Sequence, residues 1–438
     1  ADLVRRYLEF HKYQVNHVMN ITDVEDKIIK GVHASKTTLR EFTSKFEAAF
    51  WEDLKTLNCR EPHHKPHATE YIREIVALIE KLIARGIAYK AADGSVYFSI
   101  DKYRGCGCNY GQLLKLNFDE MRTGERVASD EYDKESVADF ALWKARVPDD
   151  GDVRWPSPWG EGRPGWHIEC SAMSMKVLGE SFDLHLGGED LKFPHHEDEI
   201  AQSEGGTGKP FVKYWMHGAF LLVEGKKMSK SLGNFFTLRD LLAKGFTGRE
   251  IRYLLLTSHY RETFNFTIEG LQGARVALAR IDECLGKLRD LAPKVDTNSP
   301  KHNNAMVQRF TEALDDDLNV SGAWGAIFEW IRDTNRKLAN NSLSSSDAEL
   351  ALAAWNKINT VLGLEPPPLV MTESVGASIG LVSVDFVLIP DEVMSLMEQR
   401  QAARKAKDFK RSDEIRDEMK AKGWVVEDSP KGPKLKKI

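Results

Sequence analysis

The fold is decided by a strand that runs into a glycine turn and an acidic pair, Phe182-Asp183-Leu184-His185-Leu186-Gly187-Gly188-Glu189-Asp190. A helix is predicted before this stretch, after Pro164-Gly165 and ending near Gly179, and another helix and a strand near Ala219–Val223 are predicted after it. Strands that alternate with helices favour a parallel sheet, and such sheets bind ligands where their strands end. Residues 166–260 therefore predict the core of an α/β domain.

The sequence on the N-terminal side of this core is less regular. Residues 1–60 are predicted to form helix, strand and helix, with the strand near Val15 to Met19. Residues 85–165 are rich in Gly, Asp and Arg and contain a short hairpin near Ile87 to Ile100, which is typical of an irregular insertion. Ala1 opens inside a helical pattern. The strand and phosphate-binding turn that precede such a helix in nucleotide-binding domains are therefore expected upstream of Ala1.

Helical periodicity dominates the C-terminal side. Beyond residue 268 a helical bundle is predicted, because apolar residues step by three and four along one seam: Leu271, Ala274, Leu278, Ile281, Leu285 and Leu288. Glu365-Pro366-Pro367-Pro368 cannot continue a helix and begins a linker. A small module follows from near Asp391, with a helix that Ser412 would cap and a hairpin at Trp424–Ile438.

The composition indicates a globular protein in a reducing compartment. The chain has 438 residues, of which 42% are apolar, enough for roughly two to four domains. Its five cysteines are an odd number and too few for a disulfide framework. Because the sequence shows neither an apolar run of bilayer length nor a signal-peptide pattern, we expect a cytoplasmic protein with no membrane partner.

Charge is distributed unevenly along the chain. The net charge is −5, but residues 400–438 carry 13 Lys and Arg against seven Asp and Glu, a local charge of +6. Such a basic end suits contact with nucleic-acid phosphates, and it suits a solvated tail equally well. Arg400, Arg404 and Lys407 are predicted to share the helix face that would meet phosphates.

The strongest local signal is a lysine loop, Lys227-Met228-Ser229-Lys230-Ser231, followed by Leu232-Gly233-Asn234. Two lysines flanked by hydroxyl residues can neutralise a triphosphate while one of its bonds breaks. A pair of lysines alone is often just an exposed basic turn, but the whole string is far more specific. It predicts an ATP-binding loop.

A second constellation has the residue types of a metal site. Pro194 is predicted to open a helix on which His195 and Glu199 lie four apart and share one face. Cys170 lies near the start of an earlier helix, where a thiolate is favoured. The three residues suit zinc with one ligand position short. A His and Glu at this spacing are more often a solvated helix face, however, and a single Cys is more often core.

The lysine loop is the signature of class I aminoacyl-tRNA synthetases, and the chain resembles the cysteinyl-tRNA synthetases among them. Gly165-Trp166-His167-Ile168-Glu169-Cys170-Ser171-Ala172-Met173 and the His195–Glu199 segment resemble two zinc-ligand blocks of that family. The resemblance implies that Cys170, His195 and Glu199 hold zinc, which binds the substrate thiolate, and that Trp166 lines the amino-acid pocket. Zinc–thiolate bonding separates cysteine from serine or alanine better than shape alone does.

The resemblance also implies the remaining site residues. Thr22, within Asn20-Ile21-Thr22-Asp23, matches a polar contact to the amino acid, and Asp190 matches a ribose contact. His217 matches the adenine side, although it would serve equally well as a core histidine. Lys227 and Lys230 are the expected catalytic residues. The expected ATP-binding residues are Asp190, His217, Lys227, Ser229, Lys230 and Ser231.

Two elements of the family are missing from this sequence. They are a His-x-Gly-His motif that binds ATP and an upstream cysteine that completes the zinc site. Both are expected upstream of Ala1. Cys106-Gly107-Cys108 lies in the insertion and is not expected to replace them.

The resemblance covers nearly the whole chain and gives it a domain plan. His259-Tyr260-Arg261 matches a fold that contacts the tRNA stem, Asp315-Asp316-Asp317 with Asn319 matches the helical bundle, and residues 402–417 match an anticodon-side module. We predict an α/β protein: a Rossmann-type parallel-sheet catalytic domain with an insertion, then a helical bundle and a small C-terminal α+β module. The predicted boundaries are 1–60 and 166–235 for the catalytic domain, 61–165 for the insertion, 236–267 for the stem-contact fold, 268–364 for the bundle, 365–390 for a linker and 391–438 for the anticodon-side module.

The implied reaction is the ATP-dependent ligation of L-cysteine to tRNA(Cys) through a cysteinyl-adenylate, with Zn²⁺ selecting the thiol and Mg²⁺ accompanying ATP. We expect a monomer. One alternative is the cysteine ligase of mycothiol biosynthesis, which uses a small amino-sugar acceptor and has no need of a basic anticodon-side module. Another is a non-catalytic RNA-binding paralogue, which has little use for the lysine loop and zinc blocks.

Overall fold

The fold is that of a computed structural model, which describes residues 1–114, 139–229, 232–292, 305–365, 408–422, 424–429 and 432–437, with residues 396, 399, 400 and 403. The chain divides into two compact units, residues 1–368 and 369–438. All five cysteines are free thiols. Within the described ranges, no helix is both long and apolar enough to cross a membrane.

Four helices begin the first unit: α1 (Asp2–Phe10), α2 (Asp26–Ser35), α3 (Leu39–Thr56) and α4 (Ile72–Ala84). The strand predicted near Val15 to Met19 is wrong. Only isolated parallel bridges form there, Val18 with His64 and Ile21 with His67. The partner segment contains Pro62 and Pro66, and proline has no N–H to continue a ladder. The segment is therefore held by single bridges.

The insertion is more regular than predicted. The expected hairpin is present as β1 (Ala88–Lys90) and β2 (Val96–Phe98), and α5 (Ile100–Gly105) follows it. Two further strands, β3 (Phe140–Ala145) and β4 (Gly162–Pro164), extend the hairpin into a four-stranded sheet in the order β1-β2-β3-β4 with antiparallel pairs. Its inner face is fully buried at Phe98 and Trp143. Short strands separated by long loops carry too weak a period to predict this sheet.

The α/β core matches the prediction in part, because the two helices and the strand at Phe182–Leu186 are present. The parallel partner of that strand was not predicted, and the strand predicted near Ala219–Val223 belongs to a separate small sheet. Helix α6 (Trp166–Leu178), β5 (Phe182–Gly188), α7 (Glu197–Thr207) and β6 (Val212–Gly218) follow in order. Strands β5 and β6 pair in parallel, from Phe182 opposite Val212 to Gly188 opposite Gly218. A second small sheet joins β7 (Leu221–Val223), β8 (Lys226–Lys227) and β9 (Phe264–Phe266) in the order β8-β7-β9. Helices α8 (Leu238–Ala243) and α9 (Gly248–Leu255) lie between β8 and β9 in sequence.

The predicted helical bundle is present as α10 (Ile268–Leu291), α11 (Ala305–Asp315), α12 (Val320–Ala339) and α13 (Ser345–Leu362). Every residue of the predicted seam is at most 4% exposed, including Leu271, Ile281 and Leu288 at 0%. These side chains share one continuous hydrophobic core with α9 and with Tyr7 of α1. The bundle therefore packs directly on α9 and α1.

A charged cluster with two buried arginines also connects α1 and α9 to the end of the bundle. Asp2 accepts hydrogen bonds from Arg6 (2.7 Å) and Arg252 (2.6 Å). The same guanidinium groups reach the last turn of α13, Arg6 at the Thr360 carbonyl (3.1 Å) and Arg252 at the Leu362 carbonyl (2.6 Å). Because both arginines are at most 7% exposed, these contacts are shielded from water.

The second unit has one long described helix, α14 (Phe409–Ala421), and a hairpin of β10 (Trp424–Ser429) and β11 (Gly432–Lys437). The hairpin confirms the prediction, and its turn at residues 430–431 lies outside the described residues. The predicted cap is wrong: Asp408 caps the helix by accepting the Arg411 N–H (3.0 Å), and Ser412 lies inside the first turn. Asp408 is the stronger acceptor, since its carboxylate also favours the helix N-terminus.

Candidate functional site

The predicted metal ligands converge beside the ends of the parallel strands. Cys170 lies on α6, and His195 and Glu199 lie on the segment that follows β5. One ligand atom of each residue lies within 4.8 Å of the others. The helix prediction is corrected in one respect: Phe193 has an extended backbone (φ −141°, ψ 132°), and regular helix begins only at Glu197. His195 still reaches Glu199, with Nε2 3.0 Å from Oε1.

The electrostatics of this cluster favour a bound cation. The Glu199 side chain is fully buried, and neither of its carboxylate oxygens receives a hydrogen bond of regular geometry from a described residue. Burial and the nearby carboxylates of Glu199 and Glu169 raise the pKa of the Cys170 thiol, the opposite of the expected effect of the helix start. A cation among these atoms would stabilise both the carboxylate and a thiolate. The residues present therefore fit a metal with sulfur, nitrogen and oxygen ligands.

A layer of imidazole rings surrounds the cluster. His167 and His195 are joined through their Nδ1 atoms (2.8 Å), and His196 Nδ1 lies 2.8 Å from His217 Nε2. Burial lowers the pKa of His196 to about 3, so this ring is neutral at physiological pH. A second group of potential metal ligands, with ligand atoms within 4.8 Å of one another, consists of His185, His196 and Glu199. It shares the Glu199 carboxylate with the first group.

Two aromatic side chains and a glycine shape the layer. The Trp166 ring is 43% exposed and lies 4.4 Å from the His195 ring, so it forms an accessible wall over a metal-ligand candidate. Trp215 stacks on His185 at 4.5 Å. A Cβ atom at Gly187 would overlap the His196 ring, which explains a glycine at the end of β5.

The insertion fixes the helix that carries Glu199. The carboxylate of Glu197 accepts the backbone N–H groups of Gly111 and Gln112, each at 3.0 Å, and that of Leu113. The next residue, Asp198, accepts the hydroxyl of Tyr110. Both acidic side chains are 1% exposed. A loop of the insertion thus holds the N-terminal turn of α7 in place, next to the metal-ligand candidates.

The lysine loop has a different construction. Lys227 is exposed on β8 and lies opposite Leu222 of β7. The Asn234 amide, 8% exposed, donates to the carbonyls of Val223 (2.9 Å) and Lys227 (3.1 Å) and accepts the Ser229 N–H (2.9 Å). One side chain thus closes the loop. Lys230 and Ser231 lie outside the described residues.

The other predicted site residues are less concentrated. Thr22 is half-buried directly before Asp23, whose carboxylate binds the Thr69 N–H (3.0 Å) and hydroxyl (2.5 Å). Asp190 is exposed just beyond the end of β5, at the edge where parallel sheets bind ligands. His217 is half-buried at the end of β6.

The predicted phosphate-contacting residues receive little support from the second unit. Arg400 is 4% exposed, and such burial does not favour contact with phosphates. Arg404 and Lys407 lie outside the described residues, so their predicted role stays a prediction.

Comparison with known proteins decides the family. Residues 1–276 match the class I (C) tRNA synthetase catalytic domain, residues 309–364 the DALR domain, and residues 388–433 the cysteinyl-tRNA ligase anticodon-binding domain. The cysteine–tRNA ligase of Chlamydia pneumoniae is 45% identical over the whole of this chain and 89% of its own length. That of Protochlamydia amoebophila is 44% identical over the whole chain and 88% of its own length.

This chain belongs to the cysteinyl-tRNA synthetase family. The predicted family, enzyme class and class I fold are thereby confirmed. The fold is also that of Mycobacterium tuberculosis methionyl-tRNA synthetase, solved with methionyl-adenylate, at a TM-score of 0.59 and 14% identity over 82% of this chain and 84% of that one.

Sequence reasoning missed several residues around the site of this synthetase. The Asn20 amide lies 3.5 Å from the Cys170 sulfur, but no role was predicted for Asn20 itself. His185 and His196 carried no role, because a histidine near an apolar strand gives no signal of its own. Asn234 is the last residue of the Leu232-Gly233-Asn234 string that follows the lysine loop, and this string could have indicated its role.

Proposed function

We propose that this protein ligates L-cysteine to tRNA(Cys) in two steps, with cysteinyl-adenylate as the intermediate. The cysteine carboxylate oxygen bonds to the α-phosphorus of ATP as the bond to pyrophosphate breaks. The terminal ribose hydroxyl of the tRNA then attacks the acyl carbon, loses its proton, and releases AMP. The observation that supports cysteine as the substrate is the convergence of Cys170, His195 and Glu199 within 4.8 Å beside the Trp166 wall.

We propose Zn²⁺ as the metal of this cluster, held by Cys170, His195 and Glu199. When bound, it supplies a Lewis-acidic centre with high affinity for a thiolate, which alanine and serine cannot offer. The protein contributes a fixed set of donors. Glu197 and Asp198 are anchored by the insertion, so Glu199 on the next position of α7 has little freedom to move. The exposed Trp166 ring would form one wall of the pocket for the substrate side chain.

The lysine loop would neutralise the phosphates. No protein nucleophile is required, because alignment and charge stabilisation supply most of the acceleration in phosphoryl and acyl transfer. Lys227 is exposed and attached to a short, braced hairpin, which suits a cation that meets pyrophosphate. We propose Lys230 as its catalytic partner, with Ser229, Ser231, Asp190 and His217 as further ATP contacts, Thr22 as a contact to the amino acid, and Mg²⁺ accompanying ATP.

The domain plan predicted from the sequence is retained in the proposal. The bundle and the C-terminal unit would hold the tRNA, with Arg404 and Lys407 as candidate phosphate contacts, and we propose a monomer. The alternative acceptor, a small amino sugar, gains no support from the matches to a DALR domain and an anticodon-binding domain.

The decisive test is the transfer of labelled cysteine to unfractionated tRNA by the intact protein, together with cysteine-dependent exchange of pyrophosphate into ATP. We expect both activities, and both should be lost in Lys230→Ala. Exchange without charging would favour a small acceptor instead of tRNA. The absence of both, in protein that binds zinc and is folded, would contradict the proposal.

A further inference from the structure

Asp317 joins the helical bundle to the segment that precedes β9. It lies in the turn between α11 and α12, and its carboxylate accepts the hydroxyl of Tyr260 (2.6 Å) and two guanidinium contacts from Arg261 (2.6 and 3.3 Å). Its carbonyl lies 2.8 Å from His259 Nε2. One residue of the bundle therefore contacts three consecutive residues of the predicted stem-contact fold.

The backbone around Asp317 is held in an uncommon conformation. Asp317 has φ +51° and the following Leu318 has φ +58°, so two successive non-glycine residues lie in the left-handed region. Such residues persist only where their surroundings fix them, and they concentrate at functional positions. Asn319 then caps α12 by accepting the Gly322 N–H (2.8 Å). The turn thus aims the Asp317 carboxylate at Tyr260 and Arg261.

The segment that Asp317 holds also supports the lysine loop. The Tyr260 carbonyl accepts the Ala219 N–H (2.7 Å), and the Phe220 carbonyl accepts the Phe264 N–H (3.0 Å). Next to these contacts, β7 and β9 pair in parallel. The Asn265 side chain accepts the N–H of Gly225, which lies in the turn of the β7–β8 hairpin (2.7 Å). Hydrogen bonds therefore run without a break from the bundle to the hairpin that carries Lys227.

We propose that Asp317 is a positioning residue for the tRNA-dependent step: it fixes the bundle against residues 259–266 so that tRNA held by the bundle presents its end to the adenylate. This inference rests on the proposed function. Amino-acid activation needs the lysine loop, the metal-ligand cluster and their two substrates. The backbone hydrogen bonds that join β7 to residues 260–266 do not involve the Asp317 carboxylate. The orientation of the bundle matters only when a ligand spans both parts, because only then does a displaced bundle misplace the attacking hydroxyl.

The test compares two reactions of the intact protein in Asp317→Asn and Asp317→Gly. Asparagine and glycine both tolerate a positive φ, so the turn is retained while the charge or the whole carboxylate is removed. We expect kcat/KM for tRNA in charging to fall about tenfold or more, since an ångström of misplacement can cost about 10²-fold. Cysteine-dependent pyrophosphate exchange without tRNA should stay within about twofold of the parent enzyme.

Asp316→Asn is the matched control. It removes the same charge from the same turn, and Asp316 is exposed. Both activities should be unchanged in it. Equal losses of exchange and charging in the Asp317 variants would show a general structural role and overturn the inference, as would no loss of charging. A parent enzyme with neither activity would instead overturn the proposed function itself.

Discussion

The proposed metal-ligand cluster and the lysine loop lie in one compact unit but are built in opposite ways. Glu199 and His195 are at most 4% exposed, and the Glu199 oxygens lack regular hydrogen bonds from the described residues. Lys227 is exposed. Its loop is closed by the Asn234 amide, which accepts one hydrogen bond and donates two. Burial sharpens discrimination between amino acids because unpaired donors and acceptors penalise the wrong ligand. Charge neutralisation of a phosphate instead needs cations that solvent and nucleotide can reach.

The largest effect is expected from Glu199→Gln. The substitution removes the charge that would balance a divalent ion, so zinc content should drop and cysteine-dependent exchange should fall by about 10³-fold. Zinc stoichiometry by elemental analysis and pyrophosphate exchange measure the two quantities. Glu204→Gln, five residues later on α7 and outside the cluster, is the control and should keep both. A Glu199→Gln enzyme with full zinc and full exchange would show that the cluster does not select the substrate.

A smaller effect is expected from Lys227→Ala. Removing the cation that we propose to stabilise the leaving pyrophosphate should lower kcat for exchange about 10²-fold and leave zinc content unchanged. Lys226→Ala is a matched control, because neighbouring residues of a strand point to opposite faces and Lys226 pairs with Val223, whereas Lys227 pairs with Leu222. Equal losses in the two variants would mean that general charge, and not the position of Lys227, matters.

A still smaller effect is expected from Asn234→Ala. The variant loses three hydrogen bonds that close the lysine loop, each worth about 1 kcal/mol, but no charge that contacts the substrate. We expect KM for ATP to rise about three- to tenfold while KM for cysteine is unchanged. Asn265→Ala, which removes the acceptor of the Gly225 N–H on the other side of the hairpin, should have a similar but weaker effect. A rise in KM for cysteine instead would place Asn234 in the selecting cluster.

The same comparison explains what the sequence was able to predict. Periodicity predicts the helical seam from Leu271 to Leu288 and the strand Phe182–Leu186. The lysine loop is recognised from its own residue types, two lysines flanked by hydroxyl residues. Motif resemblance brought Cys170, His195 and Glu199 together although Cys170 lies 25 residues before His195. Periodicity alone would have left these three as a solvated face and a core thiol.

Other features depend on distant partners and could not be predicted from local pattern. The stretch Val15 to Met19 has strand-like residues, but its neighbour contains prolines that cannot extend a ladder. Strands β3 and β4 are separated by long loops, and only their pairing defines the insertion sheet. The contacts of Asp317 with Tyr260 and Arg261 span more than 50 residues, so a local sequence pattern cannot predict them.

The smallest effect on activity is expected from Asp2→Asn, which tests whether a largely buried, ion-paired carboxylate is enough to indicate function. Unlike Glu199, Asp2 is fully hydrogen-bonded, to Arg6, Arg252 and the Arg60 N–H (2.7 Å). Zinc content and activity per folded molecule should be unchanged. The free energy of unfolding should fall by about 3 kcal/mol, because one partner of a buried charged group is removed. Chemical denaturation measures this loss, and Glu9→Gln, which weakens the more exposed pairs with Arg5 and Arg60, should cost about 1 kcal/mol or less.

The pKa of Asp2 determines how the stability difference between the parent and Asp2→Asn depends on pH. Burial alone would raise the pKa of Asp2, but Arg252, the Arg60 N–H and Arg6 outweigh it and hold the pKa below its ordinary value. The carboxylate therefore stabilises the folded state fully above its unfolded pKa of about 4, and this contribution is lost as the pH falls further. The difference in stability between parent and Asp2→Asn should be constant from pH 8 to about 5 and shrink below about 4. A difference that grew on acidification would mean that Asp2 is protonated in the folded protein, and the contrast with Glu199 would then be lost.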